Sequence, residues 1–498
     1  MRIRTRSIFI MAFQGLTQAT QLIIGIVLVR LINKEMLGSY RQVMLVYSLM
    51  VGIFTIQIES SLYYFLPKYG SEKRRDIVTQ TLFITTVISL FISLAMFFSA
   101  DIFAKQFKNP EIAILIKIFA CFPFFERIVQ LMPAFLISLD KAIFSGLYSM
   151  LSTVVMILTV VMIFAFGYGI AEALWSKVLI EAIFAVVGIL MMMHFSSSGH
   201  WRINKGLLFE QLNYCWPLMA TTTIGIVNLK LDGVLISYYF SKEVYAVYST
   251  GALELPLIAL FTASISSAIM PNMVVAADKG RLLDSLNIWH QATRKSSLLI
   301  FPTFVFFLFC GYDFIVLMYT QDYSKATWPF LVYLTRLPVR VAIYGAIFKA
   351  IGYTKPLFYS AILSLIVNII VSVVLLFAGR HGMLSYLGPS IGTALATIAT
   401  VIFLLITLCK KLEIRFSQVM RWKELGRIFG LSLFCGVLLW LTPIPFSNLL
   451  FRFVIKFILY VVFFFGALVL TKSLNADEWE LLRMPLNMIR KIAAKKGN

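Results

Sequence analysis

Charged side chains are scarce in this chain, and their scarcity excludes a soluble globular protein. Only 13% of the 498 residues are Asp, Glu, Lys or Arg, whereas 60% are hydrophobic and the mean hydropathy is +0.88. Soluble domains typically have about 25% charged residues. Several apolar runs are also long enough to cross a bilayer, which takes about 20 residues. The composition therefore predicts an all-α, polytopic membrane protein.

Residues that bind metals or form disulfides are also few. The five cysteines are scattered, mostly within apolar runs, and the four histidines form no cluster with ligand spacing. This pattern argues against a disulfide framework and against a CxxC metal site. We expect no metal and no cofactor, apart from a coupling proton or sodium ion.

Motifs of common enzymes are absent or lack their structural context. No G-x-x-x-x-G-K-[ST] occurs, so the chain does not hydrolyse nucleotides by a P-loop. Residues 388–392 read GPSIG and match the G-x-S-x-G string of a nucleophile elbow. No strand precedes this string, and Pro389 is typical of the first position of a helix. We therefore predict that the protein is not an enzyme.

The hydropathy pattern predicts fourteen membrane spans. Basic residues are concentrated in the loops on the N-terminal side, so the positive-inside rule predicts that both termini are cytoplasmic. The same asymmetry accounts for most of the net charge of +21, and no nucleic acid is needed to explain it. The predicted spans lie near 8–31, 39–66, 77–100, 111–137, 143–167, 171–195, 214–240, 245–273, 296–320, 327–350, 356–379, 388–409, 427–446 and 449–472.

An internal repeat divides the chain. Residues 33–40 (NKEMLGSY) match residues 241–248 (SKEVYAVY), and residues 140–151 match 354–365 more weakly. Two similar halves in series are typical of transporters, which bind substrate between the halves. The predicted organisation is an N-lobe (1–200, spans 1–6), a C-lobe (201–411, spans 7–12), spans 13 and 14 (412–472) and a basic cytoplasmic tail (473–498) that lies on anionic membrane lipid.

Predicted span 7 holds Asn228, Lys230 and Asp232 near its centre. An ionisable group there costs at least ~2.5 kcal/mol, so such groups usually face a bundle interior or a wet cavity. Lys230 and Asp232 are two positions apart on the helix and cannot pair with each other. They indicate either a structural ion pair with another helix or a pathway for substrate or a coupling ion.

Predicted span 10 carries Arg336 and Arg340 on one helical face, with Pro338 between them. Counted from Trp328, the arginines lie roughly 12 and 18 Å into a core of about 30 Å, too deep for easy snorkelling. The proline is expected to break the helix, as in the helices that line transporter sites. We predict that Arg336, Arg340 and Lys230 bind substrate.

Other polar residues within spans are weaker candidates. Gln18 belongs to a polar stripe in span 1 that suits sugar hydroxyls or interhelical hydrogen bonds, and Asn228 is a second uncharged candidate. Asp232 and Glu254 are the acids nearest the second-half cavity, so either is a candidate for coupling to a proton or sodium ion.

The remaining charges in the spans suggest a gate and local pairs. Glu59 and Arg127 both fall in the cytoplasmic half of their spans, so we predict that they form an inner gate. Lys177 and Glu181 are four positions apart and are interpreted as a local ion pair. Arg41 lies close enough to a span end to snorkel.

Gly, Pro and Asn residues punctuate three stretches of the chain. They read VLVRLINKEMLGSYRQVML (27–45), SSAIMPNM (266–273) and KAIGYTKPLFYSAILSLIVNIIVSVVLL (349–376) followed by LGPSIGTALATIAT (387–400). This pattern resembles the lipid-linked polysaccharide flippases of O-antigen type. These flippases belong to the multidrug/oligosaccharidyl-lipid/polysaccharide exporter superfamily.

The resemblance implies two six-helix lobes around a central cavity that opens alternately to each side. It implies transport of an undecaprenyl-diphosphate-linked oligosaccharide from the inner to the outer leaflet of the bacterial cytoplasmic membrane, together with other polysaccharide-assembly proteins. Cationic residues line the cavity in that family, and the matching residues here are Lys230, Arg336 and Arg340. By resemblance to lipid II flippases, spans 13 and 14 form a groove for the lipid tail.

Two other functions remain open from the sequence. The first is a cation-coupled multidrug exporter of the same superfamily. Such exporters resemble one another in having buried acids in the first half of the chain, and span 1 has none. The second is a membrane-bound acyl- or glycosyltransferase, for which the chain has no recognisable catalytic cluster.

Overall fold

Helices make up all the regular secondary structure that is described. The computed structural model describes residues 20, 23–70, 72–196, 202–253, 255–380 and 382–475, and these residues contain no strand. The predicted all-α fold is therefore confirmed. The helices are α1 (23–31), α2 (Lys34–Phe54), α3 (Glu59–Tyr69), α4 (Arg74–Gln106), α5 (Glu111–Phe119), α6 (Phe122–Ser138), α7 (Ala142–Ala165), α8 (Ile170–Phe195), α9 (Lys205–Tyr239), α10 (Lys242–Gly251), α11 (Pro256–Asp278), α12 (Leu282–Tyr319), the 3-10 helix η1 (Gln321–Ala326), α13 (Thr327–Leu334), α14 (Arg336–Val339), α15 (Tyr344–Ala350), α16 (Lys355–Ala378), α17 (Met383–Leu412), α18 (Trp422–Leu441) and α19 (Leu449–Leu470).

Ten membrane-spanning segments stand out in the described part of the chain by length and composition. They are α2, α4, α7, α8, α12, the stretch Gln321–Ala350, and α16 to α19. Of the other four predicted spans, the first lies partly outside the described residues and the seventh lies in the continuous helix α9. The fourth and eighth are each divided between two helices. The multi-pass membrane fold is confirmed, and the number fourteen stays a prediction.

Several predicted spans are interrupted. Predicted span 2 divides into α2 and α3, and Gln57 between them adopts a positive φ of 55°. Predicted span 10 divides at the expected place, because α14 ends at Val339 and α15 begins only at Tyr344. The hydroxyl of Tyr344 donates to the free carbonyl of Val339 at 3.0 Å. The carbonyl group that the break next to Pro338 leaves unpaired therefore accepts a hydrogen bond from a side chain, as buried backbone groups require.

The sequence repeat corresponds to equivalent helix starts. Asn33 caps α2 by accepting a hydrogen bond from Met36 N, and Ser241 caps α10 by accepting one from Val244 N. The two repeated segments, the hinges at residues 33–40 and 241–248, also pack together. A Cβ added at Gly38 would lie only 2.2 Å from the carbonyl oxygen of Lys242. Ion pairs on this face join Lys242 to Glu35 (3.9 Å) and Glu111 (3.2 Å). The N-terminal ends of α2 and α10 therefore pack directly against each other.

The chain forms two compact units. The first contains the described residues up to 260, together with Met318–Tyr333 and Thr354–Leu404. The second contains Phe261–Leu317, Leu334–Tyr353 and the described residues from Leu405 onward. These boundaries differ from the predicted ones at 200 and 411, so the division into N-lobe and C-lobe stays a prediction.

The GPSIG string belongs to a helix interior. Pro389 lies six residues after the start of α17, so the prediction that it opens the helix is wrong. The Ser390 hydroxyl donates to the Leu387 carbonyl at 2.8 Å, which occupies it within its own helix. Gly392 allows close packing, because a Cβ there would lie 2.2 Å from the Ser372 hydroxyl oxygen. The string therefore marks a packed helix pair and has none of the geometry of a nucleophile elbow.

Candidate functional site

A polar cavity of about 340 Å³ lies in the first unit, between α2, α9, α10 and α13. Helix α2 begins at Lys34, seven positions before Arg41, and helix α9 ends at Tyr239, nine positions after Lys230. At 1.5 Å per residue, the two cations lie roughly 10 and 14 Å from these helix ends. The cavity is lined by Arg41, Met44, Leu45, Ser48, Leu229, Lys230, Asp232, Gly233, Tyr245, Tyr248, Ser249, Ala252 and Tyr333.

Arg41 is held in this cavity by neutral acceptors at the end of α10. Its Nη1 lies 2.7 Å from the Ala246 carbonyl oxygen, 2.8 Å from Ser249 Oγ and 2.5 Å from Thr250 Oγ1. No carboxylate among the described residues lies within 4 Å of it. These bonds orient the guanidinium and leave its charge uncompensated by an acid. The sequence left open whether Arg41 snorkels from a span end, and in the structure α10 supplies its partners.

Lys230 lines the same cavity and is half-buried. In the part of the chain that the structure describes, its ammonium has no hydrogen bond and no ion pair. It therefore adds a second positive charge that no acid neutralises within 4 Å. An ammonium in a partly desolvated cavity is a strong donor to anionic oxygens. The cavity is thus suited to an anionic group.

Asp232 is the acid of this cavity, and hydroxyl groups surround it. The residue is only 2% exposed. Thr393 Oγ1 lies 2.9 Å from both carboxylate oxygens, the Tyr333 hydroxyl donates a short hydrogen bond, and the Tyr248 hydroxyl lies 3.5 Å away. Hydrogen bonds of this kind stabilise a buried carboxylate without an ion pair. The carboxylate is therefore already satisfied and does not neutralise Lys230.

Asn228 belongs to an amide and hydroxyl network that leads to Asp232. Its Nδ2 donates to Ser364 Oγ at 3.0 Å, and its Oδ1 accepts from Asn368 Nδ2 at 2.9 Å. Asn368 Nδ2 also donates to Thr393 Oγ1 at 3.1 Å, and Thr393 contacts Asp232. The described side chains thus connect α9, α16 and α17 in one polar chain. Any role of Asn228 in substrate binding stays a prediction.

Arg336 and Arg340 lie in the second unit, whereas Lys230 lies in the first. Arg336 begins α14 and is half-buried, and Arg340 caps its C-terminus and is exposed. Both arginines have interaction partners of their own. The clamp that joins them to Lys230 stays a prediction.

The proposed gate residue Arg127 has a direct ion-pair partner that the sequence did not indicate. Arg127 forms a bidentate ion pair with Glu126, at 2.8 Å from Nε to Oε2 and 2.9 Å from Nη2 to Oε1. Adjacent helical residues do not face each other, so spacing did not indicate this pair. Glu59 is half-buried and has no ion pair within 4 Å among the described residues. The gate stays a prediction. Any movement of Arg127 in such a gate would also involve its partner Glu126.

The predicted Lys177–Glu181 pair has no direct contact within 4 Å among the described residues. The Lys177 ammonium instead lies over the rings of Tyr40, Phe119 and Phe122, at 5.8, 5.3 and 5.4 Å from their centroids. A desolvated ammonium is attracted to aromatic faces by about 2 kcal/mol or more. The aromatic side chains of α2, α5 and α6 therefore replace Glu181 as partners.

Two predicted site residues lie outside the described residues. They are Gln18, with the rest of the polar stripe of span 1, and Glu254. Their roles in substrate binding and coupling stay predictions.

Sequence reasoning missed Arg41, Tyr333 and Thr393 as parts of the site. Tyr333 and Thr393 belong to no motif that marks them as site residues. One signal was available for Arg41, since it stands immediately after the repeated segment NKEMLGSY (33–40).

The comparisons with known proteins agree on family and fold. A family model described as "Polysaccharide biosynthesis protein" matches residues 27–327. No curated protein matches the chain. Among solved structures, the lipid II flippase MurJ in an inward closed conformation superposes with a TM-score of 0.69 at 17% identity, covering 93% of this chain and 99% of that one.

Two transporters of the MOP superfamily are similar to the chain at lower scores. An inward-facing multidrug resistance MATE family transporter gives a TM-score of 0.60 at 11% identity, covering 80% of this chain and 94% of that one. A MOP superfamily transporter from Pyrococcus furiosus gives 0.56 at 14% identity, covering 82% and 95%. These likenesses establish the fold, and the family model covers more than half of the chain. The protein is therefore a multi-pass membrane protein with the same fold as the lipid II flippase MurJ, and it belongs to the polysaccharide biosynthesis protein family.

Proposed function

We propose that this protein is a flippase that moves an undecaprenyl-diphosphate-linked oligosaccharide from the inner to the outer leaflet of a bacterial cytoplasmic membrane. The observation that carries the proposal is the cavity in which Arg41 and Lys230 have no acid partner within 4 Å. A diphosphate cannot cross hydrocarbon unshielded, because an isolated buried charge is very costly. Two cations in a partly desolvated cavity offer it charge-assisted hydrogen bonds.

Membership in a polysaccharide biosynthesis family supports the same cargo. The lipid II flippase that shares this fold is named for a lipid-linked substrate. In our proposal the lipid tail stays in the bilayer while the diphosphate and the glycan pass through the protein. Spans 13 and 14, which correspond to α18 and α19, would hold the tail, and Arg336 and Arg340 would complete the diphosphate site with Lys230.

The other two functions fit the site less well. A cavity that presents two cations would repel any drug that is a cation, although multidrug transporters share the fold. An acyl- or glycosyltransferase would need a nucleophile or a general base, whereas Asp232 is held by three hydroxyl groups. We therefore propose transport without catalysis.

Deletion of the gene is the direct test of this function. We expect cells without the protein to accumulate a polyprenyl-diphosphate-linked glycan on the cytoplasmic side and to lose the surface polysaccharide. Mass spectrometry of extracted lipids would identify the accumulated glycan, and expression of the intact chain should clear it. Normal lipid-linked glycan levels together with normal surface polysaccharide would contradict the proposal.

Orientation is tested by labelling single cysteines in a Cys-free background. Lys325 and Lys423 suit this test, because both are exposed and lie in loops predicted to be on opposite sides. A cysteine at position 325 is expected to react with an impermeant thiol reagent from outside, and one at 423 is expected to react only after lysis. The reverse labelling would overturn the proposed orientation and with it the direction of transport.

Coupling to an ion gradient is proposed to involve Asp232 or Glu254. Binding of a proton or sodium ion at a carboxylate would shift the balance between inward and outward states. We expect Asp232→Asn or Glu254→Gln to uncouple export from the gradient, measured as substrate movement in vesicles with an imposed proton or sodium gradient. If both variants transported like the intact protein, coupling through either carboxylate would be untenable.

A further inference from the structure

A cluster of tyrosines joins α3 to the beginning of α9, at the opposite end of α9 from the cation cavity. The rings of Tyr64 and Tyr214 stack with centroids 5.0 Å apart and an angle of 14° between their planes. Phe65 packs edge-on against both rings, at 5.0 and 5.8 Å. Stacking fixes the two rings as one unit, because each aromatic pair adds about 0.5–1.5 kcal/mol beyond its buried area.

The stacked rings are nevertheless open to ligands. Tyr64 is 46% exposed and Tyr214 is 38% exposed, although each covers part of the other. Among the described residues, neither hydroxyl has a hydrogen-bond partner. The pair therefore presents ring surface and two free hydroxyl groups, and its packing uses neither hydroxyl.

An ion pair beside the rings indicates that this surface faces water. Lys68 Nζ lies 2.7 Å from Glu210 Oε1, and both side chains are about 40% exposed (40% and 42%). Lys68 Nζ also lies 5.3 Å from the centroid of Tyr64, and the Tyr69 hydroxyl donates to Glu210 Oε2 at 2.8 Å. A half-exposed ion pair is not stable in hydrocarbon, where polar groups go unsolvated. The rings next to it therefore lie at the aqueous end of the helices.

The ion pair also supplies charged hydrogen-bonding groups. Glu210 precedes the predicted span 214–240, and hydrogen bonds from Lys68 and Tyr69 lower the pKa of its carboxyl group. The carboxylate therefore stays ionised at neutral pH. Together the four side chains combine flat apolar surface with donors and acceptors, the combination by which proteins hold and orient polar ligands.

We propose that Tyr64 and Tyr214, with Lys68 and Glu210, form a sugar-binding surface that receives the glycan head of the substrate at its entry. A pyranose ring has an apolar face that packs on an aromatic ring and hydroxyl groups that bond to carboxylate, ammonium and phenol. Tyr214 and Lys230 are 16 positions apart on α9, which separates the surface from the cation cavity by roughly 24 Å. The two sites can therefore recognise different parts of one elongated substrate.

This inference rests on the proposed function, and its test separates the two. The full-length protein is purified, and its affinity is measured for two probes: the lipid-linked glycan extracted from the deletion strain, and undecaprenyl diphosphate without sugar. The intact protein is expected to prefer the glycan-bearing probe. Tyr64→Ala and Tyr214→Ala should each weaken binding of that probe by about tenfold and leave binding of undecaprenyl diphosphate unchanged.

Controls distinguish a sugar-binding surface from a structural contact. Tyr64→Phe and Tyr214→Phe keep the ring and should lose only part of the affinity. Trp216→Ala is the matched control, because this residue is 65% exposed and lies two positions from Tyr214, on the other side of α9. It should bind both probes like the intact protein.

Three results would overturn the inference. They are equal affinity of the intact protein for both probes, an equal loss of affinity for both probes in the alanine variants, and no loss of affinity for the glycan-bearing probe in either variant. In each of these cases undecaprenyl diphosphate still binds the intact protein, so the proposed function survives. If the intact protein bound neither probe, the proposed function itself would fail and the inference would fall with it.

Discussion

Replacing Lys230 by Gln is expected to reduce glycan export at least tenfold while the amount of folded protein in the membrane stays normal. The described residues around Lys230 give its ammonium no hydrogen bond and no ion pair, so its removal breaks no packed contact. Removing an unpaired, partly buried charge also relieves its desolvation cost. The variant protein loses a charge-assisted hydrogen bond to the diphosphate, and export falls because such bonds are worth about 1.5–3 kcal/mol. Surface polysaccharide and protein level are the two measurements.

A paired lysine provides the matched control for this experiment. Lys456 Nζ lies 2.7 Å from Asp313, which also pairs with Arg452 at 3.0 Å. Lys456→Gln should therefore lower the melting temperature, because Asp313 loses one of its two partners. Lys230→Arg keeps the charge and should retain most export. Full export by Lys230→Gln, or loss of its folded protein, would contradict a substrate-binding role for this ammonium.

The double change Arg336→Gln and Arg340→Gln is expected to abolish export. In the proposed clamp these residues supply the bidentate forks that match diphosphate oxygens, and glutamine supplies neither the charge nor the fork. The single variants should each reduce export, and Arg→Lys should rescue it only partly, because an ammonium cannot reproduce the fork. The measurements are surface polysaccharide and the accumulation of lipid-linked glycan.

Protein level decides between the clamp and a structural role for these arginines. Each has interaction partners of its own, so some loss of stability accompanies the change. A clamp predicts that export falls much further than the amount of protein. If Arg336→Gln or Arg340→Gln instead removed the protein from the membrane, and Asp232→Asn restored it, the arginines would be structural. Full export by the double variant would also exclude the clamp.

Features that depend on neighbouring residues were predictable from the sequence. Hydropathy identified the membrane fold, and the repeated segment visible in the sequence coincides with the starts of α2 and α10, because each start depends on a cap a few residues away. The break near Pro338 was predictable for the same reason, since proline removes a hydrogen bond within its own helix. The GPSIG string was also correctly separated from a nucleophile elbow, although Pro389 lies inside α17.

Contacts between distant segments were decided only by the tertiary structure. Arg41 was taken for a residue at a span end, and it became part of the site because α10, about 200 positions later, supplies its acceptors. Lys177 was assigned to the acid one helical turn away, but aromatic rings from three other helices surround it. Helical spacing states which residues share a face, and it does not state what that face meets.

The sequence by itself determined that this is a membrane protein built from a repeat, and that Lys230, Arg336 and Arg340 lie within its predicted spans. Composition and local pattern suffice for these conclusions, because every residue of a span meets the same apolar solvent and its own hydropathy decides whether it fits there. Only the tertiary structure decided which cations share a cavity. Asp232 could have neutralised Arg41, a cation of another helix in the same cavity, and it does not, because Tyr248, Tyr333 and Thr393 come from three other helices to satisfy it. The cations of the site thus lack an acid partner because hydroxyl groups from distant segments bind Asp232, and helical spacing does not predict such contacts.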